Sequence, residues 1–172
     1  FQISVNASPI QFQDAQGKLS QWTDLLIERD LSGNAITVEI TENLLMQSGD
    51  QVTATLKGFR DAGMQISLDD FGTGYSSLSY LRQLDIDFLK IDQSFTWSML
   101  QDPNAEKLTQ AIVAMGIALR MTIVAEGVET REQMNWLLAH GCHIGQGYYF
   151  SPPVAAQDLQ QVIERLEIRL SA

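Results

Sequence analysis

Short apolar or β-branched runs alternate with segments whose apolar residues recur at helical spacing along most of the chain. The runs Gln2–Val5, Ile36–Ile40, Gln65–Leu68, Phe88–Ile91, Thr122–Ala125 and Ile144–Tyr148 predict strands. Gln51–Ala62, Ala105–Leu119 and Glu132–Ala139 predict helices. Ala155–Leu170 predicts a closing amphipathic helix with Leu159, Val162, Ile163 and Leu166 inward. Asp102 or Asn104 suits the cap of the long helix, with Pro103 in its first turn, and Gly63 and Gly141 suit helix ends. Strand-then-helix units in succession imply an α/β fold with a parallel sheet and crossover helices. Two architectures satisfy this pattern, the doubly wound sheet and the eight-stranded barrel.

The polar residues narrow the choice. Asn6 ends the first strand, Glu39 and Glu42 follow on the second, Asp69 and Asp70 end the third, and Lys90 and Asp92 come with the fourth. Glu126 and Glu129 follow the fifth, and Gln146 lies on the sixth. C-terminal ends of parallel strands lie on one side of a sheet, so this set converges on one face. Contributions from every strand favour a TIM-like (β/α)8 barrel, of which about six of the eight units are visible.

Composition sets limits on function. The 172 residues are 45% hydrophobic and 19% charged, as in a soluble globular domain. No apolar run approaches the ~20 residues of a membrane span, and no signal peptide is visible, so the expected location is the cytoplasm, with no membrane contact from this segment and any membrane anchor of the parent protein lying elsewhere. The one cysteine, Cys142, excludes an intrachain disulfide and fits a reducing compartment. A net charge of −10 argues against gripping a DNA or RNA polymer through a basic surface. An anionic ligand would need positive charge from another source.

Several carboxylates converging in a partly desolvated site must take up protons or cations. Oxygen ligands without a matching His or Cys cluster select hard ions such as Mg²⁺ or Mn²⁺. A pair of such ions suits phosphodiester hydrolysis. Competing motifs are weaker. "DFG" at Asp70–Gly72 lacks a kinase catalytic loop, and Gly72-Thr73-Gly74 reads as a flexible turn or lid. His140 and His143 flank Cys142 at a spacing that fits no zinc site. Trp22, Trp97 and Trp136 read as packing residues, and Met115 and Met121 as core filler. Glu42 and Glu129 fit helix capping as well as a site role.

Four segments, "VNASPIQF", "VEITEN", "LDDFGTGYSSLSYLRQLDIDFLKID" and "VAEGVET", with the terminal "GCHIGQGYYFSPP", closely resemble the EAL domain. These domains are bacterial phosphodiesterases that cut cyclic di-GMP to linear pGpG. The resemblance runs from about Ile3 to Leu159, so residues 1–172 are identified as one EAL domain. It implies a modified (β/α)8 barrel with two divalent ions, Mg²⁺ or Mn²⁺. It also implies Asn6, Glu39, Asp69 and Asp92 as metal ligands, with Asp70 at the metal centre. Lys90 is implied to orient the nucleophilic water, and Glu126 to be a further catalytic, metal-linked carboxylate. Glu129 and Gln146 match positions near the nucleotide. Phe71–Ser77 matches a mobile loop over the site, braced by Glu42. A homodimer and upstream sensory or regulatory domains are further implications.

Departures accompany the match. The Glu-Ala-Leu motif that names the family, whose glutamate is a metal ligand, is absent. Ile10 and Pro152 stand where basic residues are common. The chain opens on Phe1, directly before a predicted strand, and reads as a piece incomplete at its N-terminal side. A barrel short of two strands exposes sheet edges, so this segment alone is expected to be unstable or to associate, and to hydrolyse poorly. The alternatives are a non-catalytic cyclic di-GMP receptor and a protein-interaction domain.

Overall fold

The computed structural model describes residues 1–9, 12, 15–46, 50–74, 81 and 84–170. Six strands, β1 (Ile3–Asn6), β2 (Ile36–Thr41), β3 (Gln65–Phe71), β4 (Phe88–Ile91), β5 (Thr122–Ala125) and β6 (Ile144–Gly145), pair in parallel in chain order. The sheet curls into a half-barrel. Parallel neighbours cannot be joined by a tight turn, and helices make most of the crossings. These are α1 (Ala15–Glu28), α2 (Glu42–Met46), α3 (Asp50–Asp61), α4 (Gln93–Ser98), α5 (Pro103–Ala118) and α6 (Arg131–Ala139), with α7 (Leu159–Leu170) last.

Alternation along the strands sorts the two faces. Val38, Ile40, Ile66, Leu68, Leu89 and Ile91 are fully buried and form the apolar layer beneath the helices. Their neighbours Thr37, Glu39, Ser67, Lys90 and Val124 line a cavity of about 240 Å³ along the concave face. The centre of the curl is thus polar, while the outer layer supplies the hydrophobic free energy. Trp22 of α1 packs on Phe59 of α3 with ring centroids 5.4 Å apart, tying α1 to the same core.

Local sequence explains the helix ends. Asp102 caps α5 by accepting a hydrogen bond from the Asn104 N–H at 2.9 Å, and Pro103 occupies the first turn, where a missing N–H costs nothing. Thr130 and Gln133 form a reciprocal capping box at α6. Gly63 and Gly141 follow α3 and α6 at φ +83° and +93°.

Several expectations are corrected. Helices α1, α2 and α4 carry no clear period in the sequence. In α1 the consecutive Leu25, Leu26 and Ile27 blur the pattern, because only Leu26 is buried. β6 ends at Gly145 rather than Tyr148, since Gln146 turns to accept from the Val128 N–H at 3.0 Å. In α7, Val162 and Ile163 are half-buried, but Leu159 is exposed rather than inward. Trp97 is 42% exposed and not a packing residue. Met121 is buried in the core, as expected. Ile10 and residues 75–77 of the predicted loop lie outside the described residues.

One tie at the sheet's N-terminal side was not anticipated. Asp87 Oδ2 accepts from the Ile66 N–H at 2.8 Å and from Arg60 Nη1 at 3.0 Å, joining β3, α3 and the entry to β4. Asp87→Ala orphans a buried amide, and we expect a loss of about 1–3 kcal/mol, read as a lower urea midpoint. Cys142 is 2% exposed, and burial pushes its thiol up to about 11. At pH 8 its thiolate fraction is therefore small, so the folded chain should resist a thiol-specific disulfide reagent that reacts promptly once guanidinium unfolds it.

Candidate functional site

The C-terminal strand ends bring three of the predicted polar residues, Glu39, Asp69 and Glu126, together around Lys90. Its ammonium lies 3.0 Å from Glu39 Oε2, 2.9 Å from Asp69 Oδ1 and 2.7 Å from Glu126 Oε1. These partners come from β2, β3 and the residue after β5, so one side chain on β4 links four strands. The Lys90 side chain is 6% exposed and those of its partners 7–18%. Burial alone would lower the lysine's pKa, but hydrogen bonds to Glu126 and Asp69 outweigh it, and the ammonium is held above its ordinary range.

Successive residues on a regular strand point to opposite faces, yet Asp69 and Asp70 both belong to this cluster. A β-bulge allows it. The β3–β4 register advances from Leu68↔Leu89 to Phe71↔Ile91, so the two aspartates together stand opposite Lys90. Asp70 adopts φ +54°, a left-handed conformation that aspartate tolerates better than most residues. The turn is fixed by the Asp70 N–H donating to Asp69 Oδ1 at 3.1 Å and Thr73 Oγ1 donating to the Asp70 carbonyl at 2.9 Å.

Asp69, Asp70 and Glu126 each present an oxygen within 4.8 Å of the others. Partial burial, then the charges of Asp69 and Asp92, hold Asp70 above the usual carboxylate range. Burial likewise raises Glu126, with Asp69 and Asp70 adding to it against the pull of Lys90. A site that resists full ionisation by its own acids favours a cation, and its all-oxygen donor set fits a hard divalent ion. The residues present therefore fit the implied metal.

The remaining candidates distribute around this core. Asn6 ends β1 in register with Glu39 and is exposed. Asp92 caps α4, with Oδ1 accepting from the Ser94 N–H at 2.9 Å. Glu42 is 4% exposed and opens α2, but neither carboxylate oxygen has a hydrogen-bond partner among the described residues, so it caps nothing. Its Oε1 would lie 2.7 Å from a Cβ placed on Gly74, which puts a buried acid directly under the loop. At α6 the cap is made by Thr130, while the Glu129 N–H donates to Gln133 Oε1 at 2.8 Å. Glu129 and Gln146 line a cavity of about 440 Å³ beside Glu126, with Trp97 and Tyr148 on its walls. The sequence does not single out Trp97 and Tyr148 as neighbours of these polar residues. His140 stacks on Trp136 at 3.8 Å and bonds its carbonyl, in keeping with the absence of a zinc pattern. Pro152 is exposed.

Gly147 sets the floor of that cavity. A Cβ there would fall 2.2 Å from the Val128 carbonyl oxygen and 2.4 Å from its nitrogen. Neither atom can yield, because the Val128 backbone bonds Gln146 and Tyr149. Gly147→Ala should cost at least about 1–3 kcal/mol, measured by thermal melting against the parent sequence.

The EAL domain family matches residues 1–153. The cyclic di-GMP phosphodiesterase PA2567 of Pseudomonas aeruginosa is 37% identical over 95% of this chain and 28% of its own length. Among solved structures, the PaMucR phosphodiesterase in complex with c-di-GMP superposes with a TM-score of 0.86 at 39% identity, covering 92% of this chain and 64% of that one. The Klebsiella pneumoniae BlrP1 manganese and c-di-GMP complex gives 0.81 at 32% identity, covering 88% of this chain and 39% of that one. The chain spans roughly a fifth to a third of the length of the curated relatives it matches. With six ordered parallel strands and a carboxylate cluster at their C-terminal ends, the chain belongs to the EAL domain family.

Proposed function

We propose that this chain is catalytic sequence of a bacterial phosphodiesterase that hydrolyses cyclic di-GMP to linear pGpG with Mg²⁺ or Mn²⁺. The observation that carries the reading is the group of Asp69, Asp70 and Glu126 oxygens beside the Lys90 ammonium. The substrate comes from relatives: PA2567 is named a cyclic di-GMP phosphodiesterase, and the PaMucR and BlrP1 structures are complexes with that nucleotide.

Glu39, Asp69, Asp70 and Glu126, with Asn6 and Asp92 at adjoining strand ends, hold the ions. Divalent cations supply the Lewis acidity that activates water and neutralises phosphate charge, which lets a chain of net charge −10 accept an anion. Lys90 orients the attacking water through its ammonium once one of its carboxylate partners has released it. Water adds at phosphorus as the bond to the 3′ oxygen breaks, and that oxygen leaves as a hydroxyl after taking a proton from solvent. The attacking water's proton passes to a carboxylate of the cluster, Glu126 or Asp70, whose oxygens stand in the same group beside the ammonium. Glu129 and Gln146 contact the nucleotide from the adjoining cavity. Glu42 braces the loop that begins after Phe71.

In the protein that carries this domain, cyclic di-GMP with Mg²⁺ should yield pGpG by chromatography, and chelation should stop it. Lys90→Ala should lower kcat by about 10²–10⁴-fold in a chain that remains folded by circular dichroism. Tight nucleotide binding without pGpG, or unchanged turnover in Lys90→Ala, contradicts the proposal.

A further inference from the structure

An ammonium has three N–H donors and no acceptor. Lys90 meets three carboxylates, one oxygen of each, at 2.7–3.0 Å. Three of the protein's own carboxylates therefore crowd this ammonium, Glu39 through a hydrogen bond at 3.0 Å, and stand between it and any water or phosphate oxygen. Two of those carboxylates, Asp69 and Glu126, also supply the oxygen group suited to a divalent ion. The same anions are thus claimed by a resident single charge and by an arriving double charge, within a few ångströms and shielded from bulk water.

From this geometry we infer that Lys90 is an internal counter-cation that competes with the metal for Glu39, Asp69 and Glu126, and meets substrate only after metal takes over one of them. The inference rests on reading the cluster as a metal centre. Two effects act in the same direction. Like charges close together in a partly desolvated site repel strongly, which weakens metal binding. The metal-free state is also stabilised, because its carboxylates already have a cation, so metal gains less on arrival. Preorganisation of the carboxylates by Lys90 opposes both, but the carboxylates stand on paired strands and need little help to converge. The consequence is a guard: without metal the lysine is locked into its own protein, and metal loading frees a donor where the reaction needs one.

The test titrates Mn²⁺ alone into the full chain by calorimetry. Lys90→Met, which keeps the length and loses the charge, should bind Mn²⁺ at least about tenfold more tightly than the parent and melt at a lower temperature in chelator. Equal or weaker Mn²⁺ affinity overturns the inference. A parent chain that takes up no Mn²⁺ overturns the metal-centre reading, and this inference with it. The unsubstituted chain gives an independent readout should Lys90→Met fail to fold. Its Lys90 ammonium resonance, followed by ¹⁵N NMR, should be protected from exchange without metal and should shift and exchange faster on adding Mg²⁺. A resonance that Mg²⁺ leaves unmoved overturns the inference.

Discussion

The site depends on one buried ammonium that three strands' worth of carboxylates must share. Lys90 is held by Glu39, Asp69 and Glu126 at hydrogen-bond distance, and no other cation reaches these acids among the described ion pairs. Burying this many charges is costly, and a buried ion pair is a weak source of stability. Stability comes instead from the apolar layer of Val38, Ile40, Ile66, Leu68, Leu89 and Ile91 on the opposite face. The protein thus separates the two tasks by strand alternation, with fold on the outer face and chemistry on the inner one.

That division would by itself place only one of Asp69 and Asp70 inward. The bulge opposite Lys90, with Asp70 in a left-handed conformation, brings the second to the same rim. A strained backbone is retained where it supplies an arrangement that regular structure cannot. The same logic explains Gly147, whose missing Cβ lets the chain lie against the Val128 backbone and turn Gln146 toward the cavity. Carboxylates, lysine and cavity wall are therefore consequences of a few local departures from a regular barrel.

Much of this was legible in the sequence. The strands Phe88–Ile91 and Thr122–Ala125 stand where the apolar runs placed them, and Glu39, Asp69, Asp70 and Glu126 gather with Lys90. The family motifs supplied residue roles that pattern alone left open. What escaped reading were features whose cause is tertiary. The bulge has no local signal, because "LDDF" reads the same in a regular strand. Asp87 resembles any surface acid until the Ile66 amide and Arg60 are brought to it. Trp97 looked like core because aromatic residues usually are, and its exposure follows from the short helix α4 ending at the rim of the cavity. At Glu129 the cap of the following helix is made by its neighbour Thr130.

The central claim is that these acids gather to hold divalent ions. Crystals grown with Mn²⁺, with data collected at the manganese absorption edge, would test it directly. Anomalous density bounded by Asp69, Asp70 and Glu126 is the predicted result. Density confined to surface acids, with the Lys90 cluster empty of metal at saturating Mn²⁺, would contradict it.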